Sequence, residues 1–453
     1  ADERRERVTG EVTLFGVGLG ERLDAADSVL AWERDPYLLR LALGRADHTT
    51  ALRTRRLRLW LGADLMAAVD ELRGRRIDVH PLLGQVYAEE RRLLDAPASA
   101  PVAFLACGTL FVEDVAEALR DEGFRVYGLD LTGVAVEELD HAITRARPAV
   151  VVTINYTEGL AEFCADRGVP LVCWEIDPST STLPACTRAV PDAHVFTYRR
   201  AHVDEFRRAG FTHVAYLPLA ANERRRTPQV LPPEERGVWS GDRPAFVGAS
   251  LVTEIPRFEL AFLGAHARLH GRNEPLPEGA RLLEAVLAEQ ARAYERYDVP
   301  AMVERLCPGL GAFLGGVAVR AAGEIAAARK RQAYVAALGT LPTGVDVWGD
   351  EGWARLASSG VRYRGPARHT ADLNRIYSVS PVNVDIGRLY QNDIVTMRVF
   401  DVLACGGVLL AEWSPALDEL FVPGRDILAY RTVDELLTLA RRLLANPGEA
   451  KAI

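Results

Sequence analysis

A chain of 453 residues is longer than one hydrophobic core usually fills, so two or three domains are expected. With 49% apolar and 26% charged residues it reads as an ordinary globular protein, and a formal net charge of -8 supplies no basic field, which argues against nucleic acid as a partner. The six cysteines lie mostly in apolar runs and none forms a C-x-x-C, so the sequence predicts a reduced, cytoplasmic protein with no metal site. The opening ADERRERVTG has no signal-peptide apolar region, and its lack of an initiating Met reads as trimming. No window promises a transmembrane segment; Phe313 to Ala327 comes nearest, and Arg320 and Glu324 interrupt it.

In chain order, Val12 to Gly20 reads as a buried strand running into a G-x-G-x-G turn, followed by a second strand, Ser28 to Trp32, that ends at Glu33. Glycines there allow close backbone approach, and an acid at the second strand's tip can accept from a ribose diol. The stretch resembles the first half of a methyltransferase more than a dinucleotide site, because the G-x-G-x-x-G spacing is not met. Strands near 12, 28, 56 and 76 are too few for a closed cofactor pocket before the Pro- and Ala-rich break at 95–101. Residues 1–97 are therefore expected to form a partial Rossmann-like extension holding no cofactor.

From 98 to 221 strands alternate with helices: Val102 to Ala106, Arg125 to Leu129, Ala149 to Ile154, Pro170 to Trp174, Ala193 to Thr197 and His213 to Leu217 are the strands. That alternation predicts a doubly wound parallel sheet covered on both faces, with chemistry at the carboxyl strand ends. Asn155, Tyr156, Glu158, Glu175 and Asp177 stand at such ends. The alternative for Asn155 and Asp177 is that they cap turns or helices.

A charged, Pro-containing stretch to Pro244 reads as the link to a third segment, 222–453. It opens with the strand and Gly turn Ala245 to Ala249 around Gly248, with Arg257 in the next helix, and carries an Ala-, Leu- and Glu-rich section near 279–337 that reads as an inserted helical subdomain. Strands at Val345 to Gly349 and Val361 to Gly365 follow, then helix 370–378. The stretch Val382 to Trp413 reads as strand, polar loop (Arg388, Tyr390, Gln391, Asn392), helix from about Asp393, Gly stop and strand. The loop and the helix N-terminus of such a unit favour a phosphate, and Asp393, Arg398 and Asp401 add the mixed charges that a diphosphate and a sugar diol require.

R-x-F-D-x-L-A-C-G-G from Arg398, with Phe421 to Asp426 and Tyr430 to Leu436 beyond it, resembles the nucleotide-sugar half of GT-B glycosyltransferases, most nearly their CgeB-type, group 1-like branch of spore-maturation and protein-glycosylation relatives. Ile154 to Leu160 and Pro170 to Pro178 resemble that group's N-terminal runs I-N-Y-x-x-G-L and P-x-V-x-W-E-I-D-P. The resemblance implies two Rossmann-like domains facing a cleft and a nucleotide-diphospho-sugar donor. In the wider superfamily an E-x7-E pair serves the donor, which here implies Asp401 at the ribose and Asp393 at the sugar; the alternatives are a helix cap for Asp393 and a solvated acid for Asp401. Gly365 would approach the nucleobase, and Asn155, Glu158, Glu175 and Asp177 would face the cleft, with Asp177 or Glu158 as base.

No D-x-D, G-x-x-x-x-G-K-[ST], H-E-x-x-H or G-x-S-x-G occurs, so a metal-dependent donor site, a P-loop, a metalloprotease and an α/β-hydrolase lose their signatures. The expected function is metal-independent transfer of a sugar to a protein or glycan acceptor. The alternatives are a nucleotide-sugar epimerase or hydrolase on the same fold, and a scaffold that has lost turnover.

Overall fold

Runs that are apolar at every position, such as VAFLA at Val102–Ala106, form strands buried along their whole length, as a parallel sheet with helices on its faces requires. The computed structural model describes residues 8–72, 75–97, 99–106, 110–176, 186, 188–239, 241–358, 360–369 and 371–450. These form two compact units, the second comprising Tyr216 onward together with Ile176 and the short stretch Thr197–Val203.

The first unit contains two sheets. β1 (Val8–Phe15), β2 (Ala26–Glu33), β3 (Leu57–Leu61) and β4 (Ile77–Val79) make a parallel sheet in the order β3-β2-β1-β4. β5 (Val102–Ala106), β6 (Arg125–Leu129), β7 (Val150–Ile154), β8 (Leu171–Glu175), β9 (Ala193–Thr197) and β10 (His213–Tyr216) follow in the order β10-β9-β8-β7-β5-β6. His141 Nε2 and Arg145 Nε, on helix Val136–Ala146, reach Asp64 Oδ1 of helix Asp64–Leu72 at 3.0 and 3.3 Å and tie the layers of the two sheets together.

The glycine turn after β1 is filled by protein. A Cβ on Gly18 would strike the His80 ring at 2.6 Å, and one on Gly20 would strike the Ala42 carbonyl at 2.9 Å. Glu33, fully buried, is equally committed: it accepts from the backbone N–H of Val17 (2.8 Å), Arg34 (2.8 Å) and Asp35 (3.1 Å) and from the Tyr87 hydroxyl. The carboxylate that could have taken a ribose diol instead closes its own loop.

The second unit carries β11 (Ala245–Val247), β12 (Val345–Trp348), β13 (Val361–Tyr363), β14 (Asn383–Val384), β15 (Leu409–Glu412) and β16 (Leu428–Tyr430), all parallel, in the order β13-β12-β11-β14-β15-β16. Helices Ile255–Leu269, Pro277–Gln290, Val299–Leu306 and Val317–Leu338 lie between β11 and β12 and share a core that includes Phe262, Val286, Val303 and Ile325. The last of them also sends Tyr334, Val335 and Leu338 into the sheet's core, so it is the crossover helix of β11 and β12 as well as part of the helical section. Among the described residues no helix is long and apolar enough to cross a membrane.

One expected boundary is corrected. The helix of the central motif begins at Met397, not near Asp393, and its N-cap is Thr396 in an extended conformation (φ -73°, ψ 155°). Asn392 and Asp393 form a turn, and Ile394 and Val395, at 5% and 6% exposure, anchor the segment between that turn and the cap in the core. Asp393 is therefore neither a cap nor a first-turn acid.

Candidate functional site

In the second unit's parallel sheet the strand order reverses between β11 and β14, and the carboxyl edge at such a switch point is where open α/β sheets hold ligands. Beside it lies a cavity of about 300 Å³ whose lining includes Lys330, Asp385, Gly387, Arg388, Asn392, Thr396, Glu412 and Arg431.

Asp385, the residue after β14 and 2% exposed, accepts from the Thr396 hydroxyl at 2.8 Å and pairs with Arg398. Arg398 also donates Nε to the Val247 carbonyl at 2.8 Å, so it clips the end of β11 to the end of β14. Its guanidinium crosses the backbone where Gly248 has no side chain; a Cβ there would come within 2.9 Å of Arg398 Nη2 and of the Phe246 ring. Glu412, at the end of β15, pairs with the buried Lys330 and accepts the Gly387 N–H at 2.9 Å. Arg388 donates to both Glu324 oxygens at 3.2 Å and to the Tyr390 hydroxyl at 2.6 Å.

Arg331 stands out electrostatically. It is 7% exposed, and its Nη1 donates to the Ala249 carbonyl at 2.8 Å, while its Nε has no hydrogen-bond partner among the described residues. Burial first, then the guanidiniums of Arg398 and Arg388, push its pKa down to about 9, against only partial relief from Asp385. At neutral pH it is still charged, in surroundings with more cation than they balance. Arg331 does not itself line the cavity, and an anion in that adjoining space would be stabilised by charges already in place.

The expected donor residues separate. Arg388 and Asn392 line the cavity, while Arg398, paired with the lining residue Asp385, and Gly248 stand at the switch point behind that lining. Gly365, with φ +92° and open space where a Cβ would stand, follows β13 and accepts the Gly349 N–H at 3.0 Å. Arg257 is 79% exposed beside Glu254 and away from the cavity lining. Asp393 is held by Arg199, with Nη2 to Oδ1 at 2.7 Å and Nε to Oδ2 at 3.2 Å. Asp401 is buried beside Arg226 and is not among the cavity-lining residues.

In the first unit, Asn155 takes a left-handed conformation (φ 66°) at the end of β7 and donates its N–H to the Trp174 carbonyl at 2.8 Å. The next N–H, of Tyr156, goes to Glu175 Oε2 at 3.0 Å, and the Tyr156 ring meets Phe206 and Phe211 edge-on. Burial raises the Tyr156 hydroxyl well above the ordinary phenol range. Glu175 is 3% exposed, whereas Glu158 is exposed on the turn before helix Leu160–Asp166. Asp177 lies outside the described residues.

Sequence reasoning missed Lys330, Arg331, Asp385 and Glu412. Asp385 and Glu412 could have been found by the strand-end argument applied to Asp177, since each closes a buried parallel strand. Lys330 and Arg331 sit in an Ala-rich helix with no local motif, and only packing brings them here.

Residues 327–453 match a family model described as "Glycosyl transferase-like". No curated protein matches the chain in sequence. Similar solved structures include sucrose-phosphate synthase from Thermosynechococcus elongatus, at 12% identity and a TM-score of 0.47, with 78% of this chain and 92% of that one covered. HepE of Anabaena, in complex with UDP and glucose, is similar at 12% identity and a TM-score of 0.41, over 78% of this chain and 92% of its own. The spinosyn rhamnosyltransferase SpnG is similar at 10% identity and a TM-score of 0.33, over 98% and 94%. Likenesses this distant carry no functional argument; the family match covers the sheet edge that holds the cavity.

Proposed function

We propose that this protein is a GT-B glycosyltransferase of the CgeB type, acting in the cytoplasm, and that its second unit binds a nucleotide-diphospho-sugar in the cavity at its switch point. The sugar's anomeric carbon exchanges its bond to the diphosphate for one to an acceptor hydroxyl on a protein or glycan. The hydroxyl proton passes to a base, and the nucleoside diphosphate leaves as an anion.

The observation that carries this reading is the buried Arg331, crowded by Arg388 and Arg398 at the carboxyl edge of β11 and β14. Such a set stabilises charge developing on a departing diphosphate without moving to meet it. The family match over 327–453 includes all three arginines. In this reading no metal serves the donor. Arg388, Arg398 and the amides near Asn392 hold the diphosphate, with Gly248 leaving room for the Arg398 guanidinium, Asp401 and Asp393 take the donor's hydroxyls, and Gly365 passes near the base. Arg257 is retained as an outer donor residue. Asn155, Tyr156 and Glu175 hold the acceptor, and Asp177 or Glu158 takes its proton.

Incubation with a panel of nucleotide sugars, following free nucleotide with and without lysate proteins, tests the reading. Acceptor-dependent release of one nucleoside diphosphate is expected. Release that ignores acceptor would mean a hydrolase, and absence of both binding and release would overturn the assignment.

A further inference from the structure

We infer that the helical section between β11 and β12 holds a zinc ion on His266, His270 and Cys307. The three residues each offer a ligand atom, and these atoms lie within 4.8 Å of one another. His266 and His270 are one turn apart at the end of helix Ile255–Leu269, the spacing that puts two side chains on one face. Their rings are 4.6 Å apart. Cys307 arrives from another element, as the residue that caps the C-terminus of helix Val299–Leu306.

A second observation points to a ligand. His266 is only 4% exposed, and its Nδ1 is buried with no hydrogen-bond partner among the described residues. Leaving such a nitrogen unpaired is costly, and burying it is reasonable where a ligand completes it. The neighbouring helix makes room for the ring: a Cβ on Gly279 would come within 2.9 Å of that same nitrogen.

The electrostatics favour a cation. His270 and Cys307 each cap a helix C-terminus, and the negative ends of two helix dipoles therefore meet at the cluster. Two imidazoles and a thiolate are a borderline-soft set that suits zinc and rejects magnesium and calcium. Tetrahedral zinc with bonds near 2.0 to 2.3 Å sets its ligand atoms about 3.3 to 3.7 Å apart, so the three must close by about 1 Å. His270 is exposed and Cys307 half-buried, which leaves both free to turn. Water takes the fourth position from the exposed side. On binding, the Cys307 thiol gives its proton to solvent and its sulfur bonds to zinc.

None of the three residues lines the switch-point cavity, so the ion is a staple. It ties the ends of two helices that contribute to one shared apolar core. The inference stands independently of the glycosyltransferase reading. The expectation from sequence of no metal site rested on the missing C-x-x-C, and a His-x3-His pair joined to a remote Cys escapes that test.

The experiment uses the full chain without an affinity tag, stripped by chelator, dialysed, and titrated with zinc against a chromophoric chelator. Stoichiometric binding is expected, with His270→Ala and Cys307→Ser each weakening it by more than about a hundredfold, since losing even an outer partner of a ligand costs 10- to 100-fold. Cobalt loading should give a thiolate charge-transfer band in the near ultraviolet that Cys307→Ser abolishes while circular dichroism stays unchanged. Failure to bind zinc stoichiometrically, or undiminished affinity in both variants, would overturn the site.

Discussion

Arg226 and Asp401 meet as a buried ion pair, with Nε 2.9 Å from Oδ2 and side chains only 6% and 5% exposed. The N–H vectors are not aligned on the carboxylate, so the contact is mainly electrostatic. Arg226 is further fixed by a 2.9 Å contact from Nη2 to His369 Nδ1. Removing one partner of a buried pair leaves the other charge uncompensated and typically costs about 3 to 5 kcal/mol. Asp401→Ala should therefore lower the denaturant midpoint by a corresponding amount. Nucleotide affinity, measured by calorimetry below that midpoint, should fall about tenfold to a hundredfold if Asp401 also holds the ribose, the loss expected for charge-assisted bonds of roughly 1.5 to 3 kcal/mol. Unchanged affinity would leave Asp401 only as the partner of Arg226.

Nucleoside diphosphate should stabilise the protein through Arg331. Ligand at about 100 times its Kd adds about 2.7 kcal/mol to folding stability. Arg331→Met removes the buried cation and should abolish most of the ligand-induced rise in Tm. A rise of wild-type size in that variant would take Arg331 out of the site.

Gly248→Ala tests, with one methyl group, the placing of Arg398 behind the cavity. The added carbon would meet Arg398 Nη2 and the Phe246 ring at 2.9 Å, so the guanidinium must leave its place between Val247 and Asp385. Donor affinity should drop by about tenfold, because a displaced charge no longer faces the diphosphate, while the fold, read by circular dichroism, remains. Unaltered binding would show that Arg398 is not held in its working position by Gly248.

Turnover should survive EDTA. Four cations, Lys330, Arg331, Arg388 and Arg398, already stand at the switch point, so magnesium is not needed to neutralise the leaving group. Chelation that strips the His266 cluster should lower Tm without stopping nucleotide release at temperatures well below it. Complete loss of release, restored by magnesium or manganese, would contradict the metal-independent reading.

The first sheet should bind no S-adenosylmethionine, since Glu33 and the glycine turn are occupied by protein groups. Tyr87→Phe removes the hydroxyl that donates to the buried Glu33 carboxylate and should cost roughly 1.5 to 3 kcal/mol in urea unfolding. Saturable cofactor binding in equilibrium dialysis, lost in Glu33→Ala, would reverse this view.

Much of the architecture was legible because buried parallel strands are written as continuous apolar runs between helix-length amphipathic segments. β5, β6 and β9 lie where such runs predict them, residue for residue, and the motif from Val382 to Trp413 does fold as strand, loop, helix and strand. These features depend on local periodicity, and neighbouring residues alone determine that. The helix start was misjudged because Asp393 looks like a cap locally, while its carboxylate is engaged by Arg199 from a distant part of the chain. Arg331 reads as one more polar residue in an Ala-rich helix; it becomes a site residue only because that helix crosses beneath β11 and brings it against Ala249. Asp401, which the sequence offers as a ribose acid or a solvated one, is instead a buried acid beside Arg226, a partner that no local pattern announces. Periodicity specifies which residues share a strand or a helix face. Which charges share a low-dielectric pocket depends on long-range packing, and the tertiary structure alone decides it.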